Sequence, residues 1–328
     1  MAITNTFSRY DAQGLREELS DVIYDISPTD TPFVSMAAKT RARQTLFEWQ
    51  TDELEAATTA NARVEGFDVT SFDATSPTVR VGNYTQISSK NLILSGTLEV
   101  VDKAGRRSEL AYQLAKRGRE IKRDMERISL ANLGGNAGGT ATPRQTATMG
   151  AWLKSNVDFQ AGGTTAGSNP VYASGVPGAP RGDAGASDLR AFTETILKNV
   201  IQQVWISGGS LHTLMVGPVN KQVVSGFAGV VTRNYDISNA PPRPTAVIAA
   251  IDVYVSDFGT LRVVPNRFQR ERDAWLLDPE YLAIPHLRPF FTKELAATGD
   301  AHKRLLIVEW GIKVKQEAAL GLAADLSG

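Results

Sequence analysis

Histidines are the side chains best suited to acid–base or metal chemistry near neutral pH. The sequence has three of them, His212, His286 and His302, and they are far apart. Each stands among residues typical of strands or turns, where a single histidine more often packs or hydrogen-bonds than acts as a base or a ligand. We therefore predict no catalytic triad and no histidine metal site.

Paired carboxylates offer a second kind of chemistry, because two neighbouring acids can bind a cation or share a proton. Asp52 and Glu53 are adjacent, and Asp21 and Asp25 are four residues apart. Such spacings occur by chance in any chain, so we assign them no role. The sequence also lacks phosphate-binding, dinucleotide-binding, zinc-protease, nucleophile-elbow and calcium-loop motifs, and it has no cysteine. We predict that the protein is not an enzyme and uses no cofactor or metal.

Composition indicates a folded protein without a strong overall charge. The chain has 328 residues, 42% of them hydrophobic, and 35 lysines and arginines balance 35 aspartates and glutamates. Dedicated nucleic-acid-binding proteins carry a net positive charge, so any electrostatic role here must be local. The first residues lack the pattern of a secretion signal, and the longest apolar run, residues 246–251, is too short to span a bilayer. We expect a cytosolic product with no membrane segment.

The strongest structural signal is one long helix, predicted over residues 106–133. Small and apolar residues recur there at spacings of three and four, which places them on one face. They are Ala111, Leu114, Gly118, Ile121, Met125 and Ile128. Gly134 and Gly135 are expected to end the helix, because glycine can take the left-handed conformation that closes a helix. At about 1.5 Å per residue the helix would be roughly 40 Å long.

The same stretch is locally basic. Residues 102–127 contain nine lysines or arginines and five acids. One interpretation is a solvated outer face on which Glu120 and Asp124 support nearby cations at helical spacing. The other is a surface that faces a polyanion. The residues alone leave both open.

Strand patterns precede the helix. Residues 44–98 show strand and turn patterns, with alternation clearest at Val79 and Val81, and predict a long hairpin. Trp49 lies on this hairpin and packs either into the core of its own chain or into a pocket on a neighbouring subunit. The first forty residues form a predicted arm, in which a short helix over residues 12–24 is followed by prolines that cannot continue it.

The segment after the helix is rich in glycine. Residues 134–188 hold twelve glycines and four prolines. This composition is typical of loops, and compact domains rarely contain a loop of this length. We expect either a surface excursion or a region that is ordered only by neighbours.

The rest of the chain has a more conventional pattern. A helix that ends at Gly208 and Gly209, a strand, a short helix and two further strands predict an α/β unit. Further strand-like segments close the chain. Trp275 and Trp310 stand in apolar strand-like contexts and are expected in the core.

The order of these parts resembles the major capsid proteins of tailed phages with the HK97 fold. The order is a proline-bearing arm, a long two-stranded excursion, one long helix, a glycine-rich stretch, an α/β region and returning strands. No single motif is diagnostic, but the likeness extends nearly from end to end. It is carried by ISPTDTPF, FEWQTDEL, NARVEGFD, GNYTQI, LSGT, GRRSELAYQLAKRGREIKRDMERISLANL, VSDFGTLRVVPNRF, LRPFFTKELAATGDAHKRLLIVEWGIKVKQEAALG and AADL.

The resemblance implies an α+β fold with named parts. These are an N-terminal arm (1–44), an extended loop or E-loop (45–101), a peripheral P-domain with the spine helix (102–190), an axial A-domain (191–275) and return strands (276–328). It also implies that copies assemble as pentamers and hexamers into an icosahedral shell around double-stranded DNA. Such a protein would be found in the virion capsid, after assembly in the host cytoplasm.

Two groups of site residues follow from the resemblance. Contacts between subunits are expected at Phe33, Phe47, Trp49, Phe67 and Tyr84. Contacts with packaged DNA at the inner surface are expected at Arg106, Arg107, Lys116, Arg119 and Arg123.

The resemblance also implies partners and leaves alternatives. Met1 leads almost at once into the arm, without the family's N-terminal scaffolding segment, so we expect a separate scaffolding protein. A portal is expected too, and a decoration protein is a further candidate. No reacting lysine–asparagine pair can be identified, so no covalent cross-link is predicted. A related encapsulin-like nanocompartment shell and an unrecognised soluble enzyme remain the other two function classes.

Overall fold

The computed structural model describes residues 30–69, 72, 74–103, 105–227, 252–296 and 299–328. The helix predicted over residues 12–24, the pair Asp21 and Asp25, and the apolar run 246–251 lie outside them. The helices in the described ranges are α1 (Pro32–Met36), α2 (Gly96–Val100), α3 (Glu109–Ser129), α4 (Met149–Trp152), α5 (Glu194–Ile206) and α6 (Pro218–Ser225).

Most strands belong to two sheets. The strands are β1 (Ala38–Arg41), β2 (Leu46–Thr51), β3 (Val79–Tyr84), β4 (Gln86–Ser95), β5 (Val157–Asp158), β6 (Val171–Ala173), β7 (Val176–Ala179), β8 (Thr213–Val216), β9 (Val253–Ser256), β10 (Gly259–Pro265), β11 (Ala274–Leu277), β12 (Leu282–Glu294), β13 (Ala301–Trp310), β14 (Lys313–Val314) and β15 (Gly321–Ala323). The first sheet has the order β1-β12-β13-β4, with β14 also paired to β12. The second has the order β5-β15-β11-β8-β10-β9. Strands β2 and β3, and β6 and β7, form separate pairs.

Helix α3 is the predicted long helix, but it is shorter at both ends than 106–133. It begins at Glu109 because Ser108 caps it, its Oγ accepting from the N–H of Ala111 at 3.2 Å. The carboxylate of Glu99 also accepts the N–H groups of Glu109 and Leu110, at 3.1 and 3.2 Å. The helix ends at Ser129, before the glycines expected to end it.

The prediction that Gly134 and Gly135 close the helix was wrong, because α3 ends five residues before Gly134. Neither has a positive φ. A Cβ at Gly134 would lie 2.1 Å from the carbonyl oxygen of Gly178, so this position requires glycine because two backbones pass close together.

Helix α3 lies across the first sheet. Ile121 and Met125 on its inner face are fully buried in one core cluster with Val308 and Trp310 of β13. Gly118 also faces this sheet, since a Cβ there would be 4.0 Å from the Leu306 side chain. Burial of this narrow apolar stripe is what holds so polar a helix to the rest of the fold.

The glycine-rich segment is ordered by its own chain, contrary to the expectation of a surface excursion or a neighbour-ordered region. Helix α4 within it is wholly buried, and Met149, Trp152 and Leu153 belong to the same core cluster as α3. Glycine is required here for close packing rather than for flexibility. A Cβ at Gly150, for example, would be 2.9 Å from the carbonyl oxygen of Ala131.

The predicted hairpin is present, with a shorter ladder than the range 45–101. Strands β2 and β3 pair antiparallel from Leu46 with Tyr84 to Thr51 with Val79. The intervening residues 52–78 contain no helix or strand in their described part. Strand β4 instead pairs with β13 along its whole length, so it belongs to the first sheet. The name hairpin therefore refers to β2, β3 and the loop 52–78.

A second core forms around α5. Leu197, Val200 and Val204 of this helix are fully buried, in one cluster with the β8 residue Leu214. Gly208 follows the helix with φ of +84°, as the glycine prediction for this helix required. Trp275 and Trp310 are fully buried, which confirms their predicted place in the core.

Candidate assembly surfaces

The histidines do not form a site. His212 is largely exposed, and its Nδ1 lies 3.7 Å from Asp278 Oδ1. His286 is half-buried on β12, and loss of solvent lowers its pKa. Among the described residues, no group of three or more histidines, aspartates and glutamates could hold a metal ion. In the same ranges, no helix has the length and apolar character needed to cross a bilayer.

The base of the hairpin is fixed to the body of its own chain through Trp49. Its ring lies 5.3 Å from that of Trp152 and 5.9 Å from that of Phe47. Its Nε1 donates a hydrogen bond to the carbonyl oxygen of Lys315 at 3.2 Å, and the Lys313 ammonium lies 5.1 Å from the ring. Of the two interpretations of Trp49, packing within its own chain is therefore the one that the structure favours.

The other expected contact residues differ in how much surface they offer. Phe33 is 0% exposed in the core of its own chain, so the expectation that it contacts a neighbour was wrong. Phe47 and Tyr84 are half-buried at the base of the hairpin. Phe67 is 49% exposed on the loop, with the Arg63 guanidinium 5.8 Å from its ring.

The hairpin loop exposes large apolar side chains. Leu54 is 99% and Phe72 is 90% exposed, and Val64, Phe67 and Val69 are also exposed. Single exposed apolar residues are ordinary, but several on one projecting loop indicate a surface that is covered in the assembled state.

The solvent-facing side of α3 is basic. Every exposed charged residue of α3 is a cation: Lys116, Arg119, Lys122 and Arg127. The acids of this helix are less exposed than its cations. Glu109 and Glu126 are buried, and Asp124 pairs with Lys90 at 2.8 Å. The side of α3 that faces solvent is therefore predominantly positive, and its partly exposed acids Glu120 and Asp124 are paired with Arg117 and Lys90.

The five arginines and lysines expected to face DNA fall into two groups. Arg107, Lys116 and Arg119 are exposed. Arg106 instead pairs with Glu109, and its guanidinium lies 5.1 Å from the Tyr112 ring. Arg123 lies 5.3 Å from the Phe268 ring.

Comparison with known sequences identifies the family. The sequence profile of the SU10 major capsid proteins matches residues 2–327. The chain belongs to this family. The major capsid protein of Escherichia phage Phieco32 is 44% identical over 131 residues, which are 40% of this chain and 37% of that relative's length.

Solved structures show that this SU10-family chain has the predicted HK97-like α+β fold. The capsid of cyanophage A-1(L) matches with a TM-score of 0.69 at 11% identity, over 96% of this chain and 98% of that one. An encapsulin complex from Synechococcus elongatus PCC 7942 matches with a TM-score of 0.54 at 10% identity, over 100% of this chain and 97% of that one. At these identities the likeness establishes the fold alone.

Sequence reasoning missed a buried ionic network in this SU10-family chain. The fully buried guanidinium of Arg181 lies 2.9 Å from both Asp183 and Asp273 and 3.3 Å from Asp325. Burial raises the pKa of Asp273 to about 6, although Arg181 and Arg270 oppose that rise. Asp325, near the end of the sequence, also accepts the N–H of Ala184 at 3.0 Å, so the network joins the last residues to the glycine-rich segment. The partners of Arg181 are mostly far from it in the sequence, so no sequence signal pointed to this network.

Asn83 was also missed, because its sequence context gives no hint of burial. Its amide donates to the carbonyl oxygens of Ala147 and Ile312, at 3.0 and 2.7 Å. Its Oδ1 accepts the N–H of Ala147 at 2.8 Å. This fully buried side chain joins β3 to the glycine-rich segment and to the turn after β13.

Proposed function

We propose that this chain is the shell-forming subunit of a tailed phage, a structural protein without catalysis that assembles into an icosahedral capsid around double-stranded DNA. The family match over residues 2–327 supports this function. The structural observation that carries it is the hairpin, because its loop 52–78 has apolar side chains that are exposed, with no cover from the described part of the chain. A second copy lying under the loop would provide that cover.

Contacts between copies are proposed along this hairpin, with Phe47, Phe67, Tyr84 and the exposed part of Trp49 as contact residues. Such contacts join different surfaces of two identical chains and generate rings. Each contact can be weak, because repetition around a ring and over a closed shell makes assembly cooperative. We also propose a division of the chain into five parts, on the ground of the family match. These are the arm (1–44), the E-loop (45–101), the P-domain (102–190), the A-domain (191–275) and the return strands (276–328).

The basic side of α3 is proposed to face the packaged genome. Its exposed cations attract DNA phosphates regardless of base sequence. Because the chain as a whole has no net charge, this binding to DNA is expected to be weak. We place the protein in the virion capsid after assembly in the host cytoplasm, with a separate scaffolding protein, a portal and a decoration protein as further proposed partners.

An encapsulin-like compartment is the second candidate, supported by the fold shared with the Synechococcus encapsulin. The basic side of α3 favours a nucleic-acid content over an enzyme cargo.

Electron microscopy of the chain expressed alone and with its genomic neighbours tests the proposal. Closed polyhedral shells, or rings of five or six subunits, are the expected result, with nuclease-protected DNA in the filled shells. Shells that contain a protein cargo and no DNA would establish the encapsulin alternative. A uniform compact monomer under all conditions would overturn both.

A further inference from the structure

The outer end of β2 carries three carboxylates in four residues. Asp52, Glu53 and Glu55 follow the strand directly, and all three are exposed. Within the described ranges none of them has an ion-pair partner, and the one contact that orders them is the Glu53 N–H donated to Asp52 Oδ1 at 3.0 Å. Three unpaired charges of one sign on one short segment repel each other unless a cation approaches.

These carboxylates border a cleft of about 760 Å³ between the hairpin and the body of the chain. Trp152, Tyr172 and Glu317 line its other side. Trp152 is only 2% exposed, and its indole N–H is a buried donor with no acceptor among the described residues. The cleft therefore combines an acidic border with aromatic side chains, which suits an incoming chain segment that brings cations.

Residues 39–43 have the opposite character. Lys39, Arg41 and Arg43 are exposed, and no acid lies in this segment. None of the three forms an ion pair with a described residue. Two of these cations lie on β1, an edge strand of the first sheet that pairs on one side with β12.

The two segments cannot meet within one chain. Strand β2, with six residues in extended conformation, separates them, so they stand about 20 Å apart at its opposite ends at roughly 3.3 Å per residue. A contact between them must join two copies.

We propose that the cleft beside residues 52–55 receives the basic segment 39–43 of a second copy of this chain. The inference rests on the proposed shell-forming function and specifies one of its contacts. Three cations would enter a cleft that holds four carboxylates, Asp52, Glu53, Glu55 and Glu317, and one cation, Lys154. Glu317 already accepts the N–H groups of Lys154 and Ser155 at 3.2 Å, so the three carboxylates of residues 52–55 are the ones available to the partner.

Such a contact has a direction, because the cleft of one copy holds segment 39–43 of the next copy. It is therefore heterologous and repeats around a ring. Complementary charge at an exposed contact mainly speeds association and selects the partner and register, and its effect falls with salt.

Reciprocal charge reversal tests the contact. Glu53→Lys with Glu55→Lys, and separately Arg41→Glu with Arg43→Glu, should each lower the yield of shells or rings by about tenfold or more at low salt. Combining all four substitutions should restore assembly, because the attraction is re-formed with opposite signs. Asp257→Lys with Asp300→Lys is the matched control, since both acids are exposed and lie outside the cleft and the hairpin. Urea unfolding checks that each variant is folded.

The outcomes separate this contact from the shell-forming function. Wild-type chain that forms no shells or rings overturns both. If the wild type assembles and either reversed pair assembles equally well, the contact is refuted and the function stands. It is also refuted if the two reversed pairs are folded and defective but fail to rescue each other, or if Lys116→Glu with Arg119→Glu rescues the acidic-side variant instead.

Discussion

The carboxylate of Glu126 on α3 accepts the backbone N–H of Phe33 at 2.8 Å, 93 residues away in the sequence. It also accepts the N–H of Val34 at 2.8 Å and an amide hydrogen of Asn266 at 2.6 Å. The long helix therefore caps the short helix α1 at the end of the arm. Glu126 is 0% exposed, and all three of these donors are neutral.

Stability should depend on the titration of Glu126. Burial raises its pKa above 4.5, against the opposing effect of its hydrogen bonds. The folded chain then holds this proton more tightly than the unfolded chain does, so the stabilisation is complete below pH 4.5 and is lost as pH rises through the folded pKa. Glutamine cannot ionise, so Glu126→Gln should lower the free energy of unfolding most at low pH. The loss should become progressively smaller as the pH rises. Urea unfolding of the unassembled chain at several pH values measures this difference. A cost that grows with pH would mean that the hydrogen bonds dominate over burial.

Arg181 should be far more important for stability than an exposed arginine. Arg181→Met leaves Asp183, Asp273 and Asp325 without their shared cation, and breaking a buried ion pair typically costs about 3–5 kcal/mol. Arg80→Met is the matched control, because Arg80 is mostly exposed and its 3.3 Å pair with Glu48 should contribute about 0–1 kcal/mol. If Arg181→Met and Arg80→Met lower the free energy of unfolding equally, the buried network contributes no more to stability than an exposed ion pair.

Trp49 should hold the hairpin to the body of the chain. Trp49→Phe keeps an aromatic ring against Trp152 but loses the hydrogen bond to Lys315, a change worth about 1 kcal/mol. Trp49→Ala also loses the ring contacts and should cost about 2–3 kcal/mol, less than a fully buried aromatic residue would. Hydrogen exchange of β2 and β3 provides the local measurement. Unchanged protection in the alanine variant would show that Asn83 and the strand pairing suffice.

The sequence was most informative where a period extends over many residues. The inner face of α3, with Ile121 and Met125, follows from spacing alone, as does the buried stripe of α5. The start of α3 could not be predicted, because it depends on Glu99, which comes from another helix. The role of Gly134 could not be predicted either, because it depends on the close approach of Gly178.

Composition misled where glycine serves packing. A glycine-rich segment was expected to lie outside the core, yet Trp152 within it is one of the largest buried side chains. Close approach of two backbones is a tertiary property, and it leaves the same composition as a flexible loop. The buried roles of Arg181 and Glu126 were unpredictable for a similar reason, since their partners are distant in sequence.

The exposed cations of α3 should contribute to DNA content without affecting the shell. Lys116, Arg119 and Lys122 lie on the solvent side of the helix, so replacing them with glutamine keeps helix propensity and removes three charges. We expect shells in normal yield with less packaged DNA, and a salt dependence of DNA binding that weakens by roughly one unit of slope per cation removed. The matched control is a variant with glutamine at Arg262, Arg267 and Lys293. These residues are also exposed, so the variant loses the same charge at positions outside α3. Equal loss of DNA in both sets would mean that overall charge matters rather than this helix, and no loss in either would place α3 away from the genome.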